Sequence, residues 1–587
     1  MKAITEQLTA LVSDAFAACG YDRSLGVVTV SDRLDLCQFQ CNGALSGAKL
    51  HHKAPRAIAE DVAAALNAQP IFARVEVAGP GFINLTLTDD YLLSCVNAIG
   101  HDEHLGVPQA QPPRTIVIDY GGPNVAKPLH IGHLRPAIIG ESLKRLARAC
   151  GNRVIGDVHL GDWGMPMGLV IAELEVRHPD WRCFADDFDA DKDTIPPLDA
   201  DTLNEIYPFA SKKSKEDDAF REKAHRATFE LQNRRPGYYA LWQEILRVSI
   251  DDLKRGYTRL NVDFDLWYGE SDADAYVPAL MDTLSAQNLL RESDGALVVD
   301  IATDDDKAPM PPILVRKSDN STNYATTDLA TIIQRQKDFA PDAIWYVVDS
   351  RQGLHFTQVF RCARLASLVP PETSLEFLGF GTMNGSDGKP YKTRDGGVMR
   401  LGALLDSAAD AAYDKLKSSA YLATVSEEEK ADIADKVGTA AIKFGDLINH
   451  RSKDYVFDLD KFLAFEGKTG TYLLYTVTRI NSILKRTGAA DCADIGGLYS
   501  DTEREILLKI LLTGDAFEHA MEEKAPSYIC ENAYQLAAAF SKFYHDNHIL
   551  DEPDAEKRGA WLALLQLIRR LLLLHLDVLG ITPVENM

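Results

Sequence analysis

The sequence predicts a multidomain α/β protein: a doubly wound parallel sheet at its centre, a smaller α+β domain before it and an all-helical domain after it. Three observations carry that expectation. Short apolar strands alternate with helical stretches between residues 115 and 380, the pattern of strands joined by crossover helices. A proline-rich stretch at residues 107–114, VPQAQPPR, separates this region from a differently patterned start. From residue 401 onward the apolar periodicity is almost wholly helical. The 587 residues suffice for three or four domains with cores of their own, and the pattern shifts place boundaries at 1–106, 107–400 and 401–587.

The first domain opens on an amphipathic helix with Ile4, Leu8, Leu11 and Val12 on one face. Residues 74–78 and 82–87 alternate like strands, and Gly79-Pro80-Gly81 between them reads as a turn. Pro108, Pro112 and Pro113 forbid helix in the linker and favour an extended spacer. Residues 115–120, TIVIDY, form a buried strand that runs through a Gly-Pro loop into a helical stretch at 132–149. Further strands are expected at 154–160, 345–349 and 375–380. Ligands of such sheets bind beyond the strands' carboxyl ends. Residues 173–312 are polar, read as largely helical and too long for a simple crossover, so they are expected to be an insertion. Inside it, Asp189, Asp191 and Asp193 have the rhythm of a calcium loop. Thr194 stands where that loop needs glycine and Ala200 where it needs a bidentate glutamate, so the stretch reads as a solvated acidic loop. The last helix stops at Gly580.

Composition excludes several classes. With 46% hydrophobic and 25% charged residues the chain is an ordinary globular protein. A net charge of −24, spread evenly, would repel nucleic acid and anionic membranes, so a polyanionic partner must meet a local basic patch. The nine cysteines are scattered; only Cys37 and Cys41 lie close, without a second pair to complete a zinc site. Free thiols in a reducing cytoplasm are expected. The start, MKAITEQLTALVSDAF, is interrupted by Glu6 and Asp14, unlike a signal peptide. The apolar stretch LLQLIRRLLLLHLDVLG carries Arg569, Arg570, His575 and Asp577, so no membrane span is expected.

Chemistry concentrates in residues 119–141, DYGGPNVAKPLHIGHLRPAIIGE, which couple a strand end to a loop and a helix start. His130-Ile131-Gly132-His133 places two imidazoles at the first turn, where free backbone N–H groups and the helix dipole attract phosphate. Gly132 would let an adenine ring lie against the backbone. A second phosphate candidate is residues 381–397, GTMNGSDGKPYKTRDGG, with Lys389, Lys392 and Arg394 after a strand at the same sheet edge. GFGTMNG at 379–385 is not a dinucleotide fingerprint.

With both loops together the chain resembles a class I aminoacyl-tRNA synthetase, and within that class an arginyl-tRNA synthetase. PNVAKPLHIGHLR is close to the family's His-x-Gly-His motif. Lys389-Pro390-Tyr391-Lys392-Thr393 aligns with the second class motif, Lys-Met-Ser-Lys-Ser, and departs from it; Lys392 matches its catalytic lysine. Relatives with such a loop carry a lysine just before the first motif, and Lys127 stands there, so the phosphate-neutralising role is shared between Lys127 and Lys392. VHLGDWGMPMG, FDLWYGES, YATTDLAT, VVDSRQGLH, FEGKTGTYLLY and the closing PVENM extend the resemblance along nearly the whole chain.

The resemblance implies an N-terminal domain that contacts the tRNA elbow, a Rossmann-like catalytic domain and a helical anticodon-binding domain. It implies activation of L-arginine by ATP to arginyl-adenylate, then transfer to the 3′ end of tRNA(Arg), with release of AMP and diphosphate. His130, Gly132, His133, Lys389 and Lys392 would hold ATP, with Mg²⁺ arriving on the nucleotide and no protein metal site of its own. A guanidinium is planar and permanently charged, so its recognition calls for a carboxylate able to accept two parallel hydrogen bonds. Asp328, one turn from Tyr324, meets that need, and both match arginine-binding positions of the family; Asp119, Asn124 and Gln352 match further substrate contacts. For tRNA, Arg451 and a helical face carrying Tyr472, Tyr475 and Arg479 suit stacking on unpaired bases beside phosphates, and Met587 ends the chain as in relatives. A cytoplasmic monomer is expected. The alternatives are a class I synthetase for another amino acid and a non-catalytic RNA-binding paralogue.

Overall fold

The computed structural model describes residues 1–33, 36–318, 321–389, 391, 399–417, 419, 421–487 and 494–587. The N-terminal domain begins with the Ile4–Ala18 helix, which buries Ile4, Leu8, Val12 and Phe16 while Leu11 stays at the rim. Against it lies a four-stranded antiparallel sheet in the order Val28–Val30, Phe39–Cys41, Phe82–Leu87, Phe72–Ala78. The last two strands stand where alternation predicts them. The first two escape sequence reading because three residues hold too little of a two-residue period.

The central sheet has four parallel strands in the order Ser374–Phe377, Ala343–Val347, Thr115–Tyr120, Arg153–Asp157. The later strands lie on one side of Thr115–Tyr120 and Arg153–Asp157 on the other, so the connections diverge beside Thr115–Tyr120 and a crevice opens at the strands' carboxyl ends. Ile116, Val117, Ile118 and Tyr120 are all buried, as a strand covered on both faces requires. The Leu134–Ala149 helix packs on this strand at Gly140, where a Cβ would come within 2.2 Å of the Tyr120 ring.

The largely helical reading of residues 173–312 needs correction. After three helices, Ala200–Glu216, Asp218–Gln232 and Pro236–Arg259, the chain returns to the sheet edge, where Leu266 bridges Asp157 and Gly269 bridges Leu160 in parallel. Residues 290–316 are then a three-stranded antiparallel sheet, Leu290–Ser293, Ala296–Val299 and Ile313–Arg316, in a stretch read as helical. The missed signal is Asp294-Gly295, both with positive φ, the dipeptide of a tight hairpin turn.

The C-terminal part is helical. Its Ala555–Val578 helix is long and apolar enough to cross a membrane, yet 67% of that window is buried within the protein. Arg569 donates to the Asn481 carboxamide and Arg570 to the Gly100 carbonyl, the latter a tie to the N-terminal domain. His575, on the same helix, is fully buried between the Leu571 carbonyl at 2.6 Å and the Asn532 side chain at 2.7 Å. Burial depresses its pKa from 6.5 to about 4. Between these values the unfolded chain binds the extra proton, so His575 makes the fold lose stability as pH falls, by about 2 kcal/mol from pH 7 to pH 5. Thermal unfolding at both pH values is expected to show a smaller acid shift in His575→Leu than in the parent.

Candidate active site

At the carboxyl end of Thr115–Tyr120 the chain passes through residues 121–129 and closes a short 3₁₀ turn, Ile131–His133, that leads into the Leu134–Ala149 helix. His130 caps this turn, its Nδ1 accepting from the Gly132 N–H at 3.1 Å; His133 Nδ1 accepts from the His130 N–H at 3.1 Å. An imidazole that accepts at Nδ1 and carries no net charge has its proton on Nε2. Both rings are held in that neutral state. Burial, His130 and Lys127 lower the His133 pKa to about 3, and burial with Lys127 lowers that of His130. The motif therefore presents two Nε2–H donors, with ring centroids 3.9 Å apart. Gly132 is required here, because a Cβ would meet the His130 ring at 2.8 Å.

The histidine motif is joined through its backbone to residues 399 and 401. Ile131 N–H donates to the Met399 carbonyl at 3.0 Å and Leu401 N–H to the Leu129 carbonyl at 2.9 Å, so the segment that follows the lysine loop is stitched to the histidine motif. Residues 385–389 fold back on themselves, with Gly385 N–H on the Lys389 carbonyl, and Tyr391 N–H donates to the Met383 carbonyl. Lys389 is exposed on this hook; Lys392 lies outside the described residues. Lys127 is half-buried, its ammonium 4.2 Å above the Tyr207 ring of the first insertion helix.

Carboxylates ring the rest of the crevice. Asp119 gives Oδ2 to Arg335 at 2.7 Å, and the same guanidinium nitrogen reaches Asp157 at 2.6 Å. Burial pushes the Asp119 carboxyl up more than Arg335 pulls it down. Asp328, in the second turn of the Tyr324–Phe339 helix, meets His355 Nε2 at 2.5 Å. Tyr324 is 73% exposed, with its ring edge toward His355. Gln352 is exposed at the end of the Ser350–Gln352 turn. Asn124 is set beside the loop after Arg153–Asp157 by Val125 N–H on the Gly161 carbonyl and Gly161 N–H on that of Pro123, each 3.1 Å.

Several site groups were not singled out from sequence. Asp162 accepts from the Ser271 N–H at 3.0 Å and hydroxyl at 2.6 Å, and burial lifts its pKa to about 6. Glu270 is lifted to about 7 by burial, opposed by His159 and reinforced by Asp162 and Asp328. They lie in the stretches VHLGDWGMPMG and FDLWYGES. Arg135, two residues past His133, is buried in an ion pair with Asp446 at 3.0 Å. His159 acts on Asp119, Asp162 and Glu270, and Asp328 on Glu270, so these acids share one neighbourhood.

Comparison with known proteins identifies the family. Residues 95–459 match the family model "tRNA synthetases class I (R), catalytic domain", residues 473–587 the DALR anticodon binding domain and residues 2–87 the arginyl tRNA synthetase N terminal domain. The arginine–tRNA ligase of Alkaliphilus oremlandii is 50% identical over the whole length of both chains. The chain belongs to the arginyl-tRNA synthetases. It is an aminoacyl-tRNA ligase of class I. The arginine–tRNA ligase of Agathobacter rectalis is 46% identical, again with both chains fully covered. The fold is that of the Plasmodium falciparum arginyl-tRNA synthetase, with a TM-score of 0.84 at 24% identity and full coverage of both. The family match over the full length decides between the specificities left open by sequence in favour of arginine.

In this synthetase the residues expected to meet tRNA fall into two groups. Tyr472, Tyr475 and Arg479 share the half-exposed face of the Gly470–Thr487 helix. Tyr472 hydroxyl donates to Ser541 at 2.8 Å, and the Arg479 guanidinium lies between the rings of Tyr475 and Tyr544 at 4.6 and 4.9 Å. Arg451 is instead tied inward, donating to the Gly379 carbonyl at 2.8 Å and the Lys524 carbonyl at 3.0 Å. Met587 is half-buried against the helical core.

Proposed function

We propose that the crevice activates arginine by placing its guanidinium on the Asp328 fork and its α-carboxylate against the α-phosphorus of ATP. The observation that carries this reading is the joint position of two fixed Nε2–H donors and an acid-lined wall around one sheet end. Asp328, with Tyr324 beside it, takes the side chain; Asp119, with Oδ1 not engaged by Arg335, and Asn124 and Gln352 hold the rest of the amino acid. The α-carboxylate, with a reference pKa of roughly 3.5, is ionised at pH 7 and needs no general base. It bonds to the α-phosphorus, and the bond to diphosphate breaks. His130 and His133 donate to the phosphate oxygens as charge moves to the leaving group, and Lys127, Lys389 and Lys392 neutralise it. Gly132 leaves room for the nucleotide. Among the described residues no three His, Cys, Asp or Glu are grouped to hold a metal ion. The donors at the helix start suit phosphate oxygens, so Mg²⁺ would come bound to ATP and add positive charge there. In the second step the terminal 2′-hydroxyl of tRNA(Arg) attacks the adenylate carbonyl and AMP leaves.

Residues 1–106 contact the tRNA elbow, 107–400 carry the chemistry and 401–587 read the anticodon, with Tyr472, Tyr475 and Arg479 stacking on its bases and Arg451 and Met587 at the border. One chain contains every group named, which supports a monomer. Eight described cysteines are free and six of them buried, which supports a reducing cytoplasm. ATP–diphosphate exchange, with tRNA present, tests the division of labour. Lys127→Ala is expected to lower kcat about 10- to 100-fold, the size of one charge-assisted contact made in the transition state, with the KM for arginine within threefold. A rise in that KM with kcat unchanged would sink the phosphate role.

A further inference from the structure

Asp119 and Asp157 are paired to a permanent cation, Arg335, and are not free to give both oxygens to a ligand. Asp328 is paired differently. Among the described residues its ion-pair partner is His355, from the first turn of the Gly353–Leu365 helix, with Nε2 and Oδ2 2.5 Å apart. The contact is sheltered, the side chains being 18% and 23% exposed for Asp328 and His355. The His355 ring stands nearly perpendicular to those of Tyr324 and Phe356, with centroids 6.4 and 5.1 Å away. A carboxylate has about four lone-pair sites on its two oxygens, and one ring N–H occupies one of them. The remaining sites are enough for a guanidinium to bind in parallel through both oxygens.

We propose that His355 is the positioning residue of the guanidinium site: it fixes the plane of the Asp328 carboxylate so that a planar, two-pronged cation fits and a rotatable ammonium does not. A lysine or arginine at this place would neutralise Asp328 and repel the substrate. A single ring N–H takes one lone pair of the carboxylate and leaves the rest of the fork to the ligand. This rests on the reading that Asp328 receives the guanidinium.

The test is ATP–diphosphate exchange with tRNA present, with the KM values for arginine and ATP and the inhibition constant of lysine measured on each variant. His355→Leu is expected to raise the KM for arginine 10- to 100-fold, leave kcat and the KM for ATP within threefold, and narrow the gap between arginine and lysine. His355→Gln, whose amide N–H reaches a similar point, is expected to restore the KM for arginine to within threefold of the parent. Should His355→Leu fail to fold, His355→Asn, with an amide too short to reach Asp328, takes its place. Equal loss in the Leu and Gln variants, a fall in kcat with the KM unmoved, or no change in either overturns the proposal. Asp328→Asn separates the two layers. If it leaves the KM for arginine unchanged, the guanidinium reading fails; if it raises that KM while His355→Leu does not, only the positioning role fails.

Discussion

Asp328→Ala is expected to lower kcat/KM for arginine about a thousandfold while the KM for ATP stays within threefold. The magnitude follows from two charge-assisted hydrogen bonds, each worth about 1.5–3 kcal/mol, with about 1.4 kcal/mol per factor of ten. Asp328 sits at the second turn of its helix, near enough to Glu270 to add to the upward pKa shift that burial gives that acid. Removing it also leaves the His355 N–H without its acceptor, so His355 and Asp328 act as one unit, and a double variant is expected to lose little more than Asp328→Ala alone. Loss confined to ATP binding would contradict the assignment.

Arg335→Met is expected to destabilise the protein by about 3–5 kcal/mol, because it leaves two buried carboxylates facing each other without their cation. The Arg335 side chain is 1% exposed and its guanidinium binds Asp119 and Asp157 from adjacent strands. Removing one acid as well relieves the conflict. Arg335→Met with Asp157→Asn is expected to recover more than half of the lost stability, read from thermal unfolding of the full chain. If the single variant unfolds within a degree or two of the parent, the buried pair is not holding the sheet edge. If the double variant is worse than the single one, repulsion between the acids is not the source of the loss.

How much of this was legible beforehand depends on the range over which each feature is determined. TIVIDY forms the Thr115–Tyr120 strand residue for residue, because five of its six side chains are buried and nothing polar interrupts the run until Asp119. The His-Ile-Gly-His turn is equally local: the ring–backbone hydrogen bonds that fix both tautomers span two or three residues. The hairpin sheet at 290–316 has one local signal, Asp294-Gly295, which stands between stretches of helical pattern and was missed.

By itself the sequence determined the fold class, the His-Ile-Gly-His turn and the family, because strand runs, caps and motif spacing act between near neighbours along the chain. Only the tertiary structure decided which acids stay available. Asp119 and Asp328 look alike as isolated carboxylates in motifs, yet the fold pairs one with Arg335, 216 residues from Asp119, and the other with His355, 27 residues from Asp328. The physical reason is that a buried charge takes its counter-charge from whatever the fold brings within hydrogen-bonding distance, and residues far apart in sequence meet there only once the sheet and its helices have packed.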